Sequence, residues 1–169
     1  MDRLLAQIAT YDYGASREPL TELTELERAL GQEPAALRAL EHKYLRFVES
    51  DASLAGKQFI CRRLSIVGSE ASAVTLARML ADPETADMAR YALEMIPSAA
   101  VDEALREAID AAGDKAKIGI LSTLGLRGDP ASVPVLARHV THADPDVASA
   151  AITGLGQIGD AAAITALRE

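Results

Sequence analysis

The segment Leu124-Gly125-Leu126-Arg127-Gly128-Asp129 returns 31 residues later as Leu155-Gly156-Gln157-Ile158-Gly159-Asp160. Two earlier segments have the same outline, a leading leucine followed by a helix-breaking residue: Leu64-Ser65-Ile66-Val67-Gly68-Ser69 and Leu93-Glu94-Met95-Ile96-Pro97-Ser98. Twelve residues after each leading leucine lies another leucine: Leu76, Leu105, Leu136 and Leu167. A unit of this length cannot bury its own apolar face, so the period predicts units that stack on their neighbours with these leucines in the core.

Each unit is predicted to fold as two helices joined by a tight turn. Gly68, Gly128 and Gly159 occupy the turn, where a chain that leaves a helix commonly needs positive φ, and Pro97 stops the helix in the remaining unit. An aspartate precedes a proline at Asp82, Asp129 and Asp144, a pattern typical of helix starts. The helical apolar period predicts helices at about 55–67, 71–81, 84–96, 99–112, 115–127, 131–142, 146–158 and 161–169.

Residues 1–56 lack the twelve-residue leucine spacing, and we interpret them as divergent N-terminal cap helices. Helices are predicted at 2–11, 17–30 and 34–49, with Ser16 capping the second and Gly31 ending it. The chain is therefore predicted to be a single domain of residues 1–169, with four repeats over 57–169. The last repeat is incomplete, so we expect the chain to be an excerpt of a longer array. Its uncovered C-terminal edge predicts self-association.

Composition restricts the classes of function. Hydrophobic residues make up 49% and aromatic residues only 4%, which favours closely packed helices over sheets. The net charge of −8 argues against a nucleic-acid partner. No apolar stretch is long enough to span a membrane, no signal peptide is evident, and residues 2–11 lack the basic face of a membrane-surface helix. The default compartment is the cytoplasm, with the periplasm or secretion left open for a fragment of a longer protein.

The pattern from Ala148 to Asp160, ASAAITGLGQIGD, resembles the bacterial HEAT-like repeat, the kind also seen in phycobilisome lyase subunits. The resemblance covers about 57–169 well and 16–56 loosely. It implies an all-α fold, a right-handed α-solenoid of stacked antiparallel helix pairs whose second helices line a concave face. The repeat positions are structural, so the resemblance leaves function open.

Enzymes built on this kind of solenoid are the alternative interpretation. A HEAT-like DNA glycosylase needs a cationic groove with aromatic residues, and this acidic chain has four Tyr, two Phe and no Trp. A bilin lyase would have to match its relatives beyond the repeat. His139 and His142 have a spacing that suits a metal, but they lie at a predicted helix end, where histidine also satisfies terminal carbonyls. We predict no catalytic residue, metal or cofactor, and a buried Cys61.

One feature is not explained by the repeat. Residues 82–114 contain nine acids against two arginines, Arg90 and Arg106, which is −7 of the total −8. The acids are Asp82, Glu84, Asp87, Glu94, Asp102, Glu103, Glu107, Asp110 and Asp114. This charge is typical of a well-solvated helix pair, or of a docking surface for a basic segment of a partner.

Spacings of four and three residues put Glu103, Glu107 and Asp110 on one helix face, so these are the predicted contacts. Two residues past each second leucine, the charges alternate through Arg78, Glu107, Arg138 and Glu169. This alternation predicts ion pairs between neighbouring second helices and adds Arg78 and Arg138 to the partner-binding residues. The predicted function is a non-catalytic scaffold, or the interaction module of a larger protein.

Overall fold

The computed structural model describes residues 1–31 and 33–168, and this part of the chain is helical throughout, without a β-strand. The α-helices are α1 (Asp2–Ala9), α2 (Glu18–Ala29), α3 (Pro34–Val48), α4 (Leu54–Val67), α5 (Ala73–Met79), α6 (Ala86–Met95), α7 (Ala99–Ala108), α8 (Asp114–Arg127), α9 (Val133–Ala137), α10 (Pro145–Ile158) and α11 (Ala161–Ala166). Short 3₁₀ turns at Glu70–Ser72, Ile109–Ala111 and Pro130–Ser132 extend α5, α7 and α9. Every predicted helix is present, with ends that differ by a few residues.

The helices form an α-solenoid of two layers. The first helices of successive units, α4, α6, α8 and α10, pack side by side. The second helices form the other layer, in which α5 packs on α7 and α9 on α11. Each second helix also contacts the next first helix, as α5 does with α6. The two layers therefore enclose one continuous core.

The repeated leucines form that core. Leu64, Leu93, Leu124 and Leu155 are fully buried, and so are the second leucines Leu76, Leu105 and Leu136. The exception is Leu167, which is 42% exposed because no helix follows α11 in the described residues to cover it. The leucine register is therefore confirmed at seven of its eight positions.

The turn glycines have two different roles. Gly128 and Gly159 adopt left-handed conformations with φ of 71° and 62°, as predicted for helix C-caps. The same prediction is wrong for Gly68, which is extended, with φ of −66° and ψ of 150°. A Cβ atom there would lie 2.7 Å from Cδ1 of Ile96 and closer still to the Leu64 carbonyl oxygen. Gly68 is required for close packing against the next unit and not for backbone conformation.

Arg127 ends the first helix of the unit that has Pro97 in place of a turn glycine. Its Nη1 donates to the carbonyl oxygens of Leu93, Glu94 and Ile96 at 3.1, 3.1 and 2.8 Å, and Nη2 donates to that of Ser98 at 3.0 Å. These carbonyls lie at the C-terminal end of α6, where the helix has no further amides of its own. The guanidinium also pairs with Asp102, at the start of α7. A side chain from α8 thus terminates α6.

Two of the three predicted aspartate caps are confirmed. Asp129 accepts from the Ala131 amide at 3.0 Å, and Asp144 accepts from the Asp146 amide at 2.8 Å. Asp82 does not cap a helix, because its carboxylate forms a local turn with the Glu84 amide and α6 begins later, at Ala86. Ser16 accepts from the first amide of α2, that of Glu18, at 3.3 Å, although Arg17 occupies the N-cap position.

Buried polar groups join the N-terminal helices to the repeats. Glu27 of α2 is 6% exposed, accepts a hydrogen bond from the Tyr44 hydroxyl at 2.9 Å and pairs with Arg63 of α4. Burial beside this carboxylate raises the pKa of Tyr44 above its usual range. Glu41 of α3 is also buried and accepts from the Ser69 amide at 2.7 Å and from the Ser72 hydroxyl at 2.5 Å. Both carboxylates therefore connect α2 and α3 to the first repeat.

Candidate protein-binding surface

Helix α7 and the 3₁₀ turn that follows it carry the three acids that the sequence predicts as partner contacts, Asp110 being in the turn. The helix begins after Ser98, whose hydroxyl accepts from the Ala100 amide at 3.3 Å. Its apolar side chains point into the core, where Val101 and Leu105 are fully buried. Because these positions fix the rotation of the helix, Glu103, Glu107 and Asp110 are left on the solvent-exposed side. We call these three residues the acidic row.

Other acids of residues 82–114 are bound within the fold. Arg90 pairs with Glu94 at 2.9 Å and approaches Asp87 at 3.9 Å. Asp102 pairs with Arg127, and Asp114 lies 3.5 Å from Lys117. The nine acids of this stretch therefore do not all face solvent, because Glu94 and Asp102 are half-buried and bound to arginines.

The acidic row differs from those acids in having its charge uncompensated. Among the described residues, no ion pair involves Glu103, Glu107 or Asp110. From Glu103 to Asp110 the row spans eight residues, a length of about 10 Å. Its carboxylates are therefore available to cations of another molecule.

A groove of about 390 Å³ runs between α5 and α7, beside the acidic row. We call it the alanine groove. Its lining residues are Val74, Ala77, Arg78, Ala81, Ala104, Glu107, Ala108 and Ala111. Small side chains let another chain approach closely, and Val74 is 58% exposed in the groove wall. Glu107 contributes to both the groove and the acidic row, so apolar and charged contacts are adjacent.

The predicted ion pair between Arg78 and Glu107 does not form. Both side chains line the alanine groove, but Nη1 of Arg78 lies 4.0 Å from a carboxylate oxygen of Glu49 on α3. Arg78 thus turns towards the C-terminal end of α3 and away from α7. Arg138 is exposed just after α9 and has no ion pair among the described residues. The last member of the predicted series, Glu169, lies outside the described residues.

The residues considered for other chemistry have structural contacts. Nδ1 of His139 donates to the Val135 carbonyl oxygen at 2.8 Å, and Nδ1 of His142 accepts from the Asp144 amide at 3.1 Å. Cys61 is fully buried, and this burial raises the pKa of its thiol to about 12. A thiol with that pKa is almost entirely protonated at neutral pH and is a poor nucleophile.

In the part of the chain that the structure describes, no group of three or more His, Cys, Asp or Glu side chains is arranged to hold a metal ion. None of the helices in the described ranges combines the length and the apolar character that crossing a membrane requires.

Comparison with known proteins identifies the repeat. Residues 101–169, which include most of α7 and all of α8 to α11, match the family model of HEAT repeats. Neither a curated protein nor a solved structure matches the chain significantly. The match begins inside α7, so the acidic row belongs to the part of the chain that resembles known HEAT repeats. The chain is an α-solenoid, and its C-terminal part, residues 101–169, is similar to HEAT repeats.

Proposed function

We propose that this protein is a non-catalytic scaffold that binds a Lys/Arg-rich segment of a partner protein along the acidic row of α7. HEAT repeats commonly act as protein-interaction scaffolds, because stacked helices present an extended surface of exposed side chains. The cytoplasm is the proposed compartment, and self-association through the exposed side of α11 is a second proposed contact. A closer relationship to the phycobilisome-lyase type of repeat also stays a prediction.

The difference between paired and unpaired acids supports this proposal. Glu94 and Asp102 are neutralised by Arg90 and Arg127, so they contribute little attraction outside the fold. The acidic row has no such compensation among the described residues and faces solvent. Unpaired surface charges of one sign attract the opposite sign and orient an approaching partner.

The alanine groove supplies the apolar part of the proposed contact. An interface of charges alone is weak, because exposed ion pairs contribute only ~0.2–1 kcal/mol each. Burying Val74 and the alanine methyl groups under a partner's apolar side chains adds contact area beside the charges. We therefore expect the bound segment to carry apolar residues next to its lysines or arginines.

Charge reversal is the test of this proposal. The variant Glu103→Lys/Glu107→Lys is immobilised beside the wild-type protein, and each captures proteins from the native cell extract. A captured protein is then purified, and its Kd for both forms is measured by calorimetry. We expect the double reversal to weaken binding at least about tenfold, since two attractions become repulsions. The affinity of the wild-type protein should fall with salt, because the Debye length shortens from about 10 Å at 0.1 M to about 3 Å at 1 M.

The matched control is Glu18→Lys/Glu25→Lys, which changes the net charge by the same amount at exposed positions of α2. Wild-type affinity in this control assigns the effect to the acidic row and not to net charge. Equal affinity of all three proteins, unaffected by salt, would mean that the acidic row is only a solvated face.

A further inference from the structure

A second groove lies in the layer of first helices, between α4 and α6. The α4 wall consists of Leu54, Gln58, Arg62 and Ile66, which follow one another at intervals of four residues and therefore share one helix face. Leu54 and Ile66 are exposed at the two ends of this wall, Ile66 by 66%. From Leu54 to Ile66 the wall spans thirteen residues of helix, about 18 Å.

The α6 wall is apolar and aromatic. Tyr91 and Met95 are 47% and 56% exposed and lie one helical turn apart. Between the two walls is a depression of about 550 Å³. Its lining residues are Gln58, Arg62, Asp87, Met88, Arg90 and Tyr91. We call this feature the outer groove.

Exposed tyrosines are concentrated at the outer groove. The chain has only four tyrosines, and Tyr44 is fully buried in the core. Tyr91 lines the groove, and the hydroxyl of exposed Tyr13 donates to Oε1 of Gln58, which holds its ring beside the α4 wall. Tyrosine, methionine and arginine are the residue types enriched in the buried centres of protein interfaces.

The charges of the outer groove indicate the charge of the ligand that it binds. Arg90 is held by Glu94 at 2.9 Å and lies 3.9 Å from Asp87, so its charge is compensated within α6. Arg62 is exposed in the middle of the α4 wall, and no ion pair involves it among the described residues. Arg62 is the charge complement of a carboxylate on a ligand. Leu54 and Ile66, on either side of Arg62, are the complements of apolar groups that flank that carboxylate.

From this arrangement we infer that the outer groove binds an amphipathic helix of a partner protein. The helix carries Asp or Glu opposite Arg62. Its apolar side chains lie about two turns away on one side, where they rest on Leu54, and about one turn away on the other, where they rest on Ile66 with Met95. Its contact face is about three turns long, the length of the α4 wall. Apolar anchors on one face of a helix are the usual means by which a helix binds in a groove. This surface is independent of the acidic row, which attracts the opposite charge.

The test is a selection of peptides, because a selection works without a purified partner protein. A phage-displayed library of 16-residue helical peptides is selected on the wild-type protein, after removal of peptides that bind the Arg62→Glu/Tyr91→Ala variant. The probes are the synthetic peptides that are enriched. We expect them to carry an acid flanked by apolar residues. We expect Arg62→Glu to raise their Kd at least about tenfold and Arg62→Lys by about threefold or less.

The matched control is Arg138→Glu, which reverses an exposed arginine in the other layer and should leave the Kd of these peptides unchanged. All substituted positions are at least partly exposed, and wild-type circular dichroism and thermal melting verify each variant's fold. The inference is overturned if no peptide is enriched. It is also overturned if enriched peptides bind Arg62→Glu as tightly as wild type, or lose affinity equally with Arg138→Glu. Neither failure affects the proposal for α7, whose test uses other residues.

Discussion

The N-terminal helices and the repeats are stabilised by different means. In the repeats, identical leucines recur at fixed spacing and are buried between stacked units. Serine or aspartate side chains cap α4, α7, α10 and α11, at Ser53, Ser98, Asp144 and Asp160. The N-cap residues of α1, α2 and α3 make no capping hydrogen bond through their side chains, and buried carboxylates connect α2 and α3 to the first repeat. The repeats thus have a periodic apolar core, and the N-terminal helices are joined to it by non-periodic contacts of Glu27 and Glu41, which we call the polar junction.

Glu27→Ala should be the most damaging single change, because it breaks the polar junction. Removing the carboxylate leaves Arg63 largely buried without its partner and the Tyr44 hydroxyl without its acceptor. Loss of one member of a buried ion pair typically costs ~3–5 kcal/mol. Urea denaturation measures the free energy of unfolding. Exposed Glu25, two residues earlier, is the control, and Glu25→Ala should change stability by about 0.5 kcal/mol or less. A cost below about 1 kcal/mol for Glu27→Ala would contradict the role of the junction.

A buried and an exposed leucine of the repeat pattern test the apolar core. Leu124 and Leu155 are fully buried first leucines, and Leu136 and Leu167 follow them by twelve residues. Leu124→Ala should lower the free energy of unfolding by ~2–5 kcal/mol, the usual range for a buried leucine. Leu167→Ala should cost less than about 1 kcal/mol, because this side chain is already 42% exposed. Similar costs for the two variants would show that α11 is covered in solution, as self-association predicts.

Asp129→Ala tests capping within the repeats and should cost about 1 kcal/mol at pH 7. The Ala131 amide and Arg106 lower the pKa of Asp129, so its ionised form is favoured in the folded state. A lowered pKa contributes stability above the normal pKa of an aspartate, and that contribution is lost as the pH falls through the folded-state value. The difference between variant and wild type should therefore shrink between pH 6 and pH 3. A constant difference over this range would exclude a charged cap.

The smallest expected effect concerns Arg78 and Glu107. Because Arg78 turns towards Glu49, a double-mutant cycle between Arg78 and Glu107 should give a coupling within about 0.3 kcal/mol of zero. The matched cycle between Arg78 and Glu49 should also be small, below about 0.5 kcal/mol, since both side chains are well exposed. A larger coupling to Glu107 would restore the ion pair that the sequence alternation suggests.

These contrasts explain which parts of the fold can be predicted from sequence. Leucine spacing and turn residues report local, periodic requirements, so the helices and most of the core followed from them. Arg127 and Glu41 act across units, on carbonyls and amides more than 25 residues away, and no local pattern marks such contacts. Gly68 resembles the turn glycines in sequence, but its requirement comes from Ile96 of the next unit.

The candidate site was predictable in part for the same reason. The spacing of Glu103, Glu107 and Asp110 placed them on one face of α7, which the structure has on its exposed side. Glu94 is neutralised by Arg90 of the same helix, whereas Asp102 is neutralised by Arg127 of α8, so a count of acids in the sequence overestimates the exposed charge. No pattern noted in the sequence predicted the outer groove. The one available indication was that Ile66 and Met95 each follow a first leucine, Leu64 or Leu93, by two residues.

A nuclear magnetic resonance titration tests the central claim most directly. Backbone amide shifts of the ¹⁵N-labelled protein are followed as the basic segment of a captured partner is added. We predict that the largest shifts fall on α7 and on the α5 side of the alanine groove, and that Glu103→Lys/Glu107→Lys abolishes them while the remaining spectrum is preserved. Shifts confined to other helices, or equal shifts in the charge-reversed protein, would contradict the assignment of α7 as the binding surface.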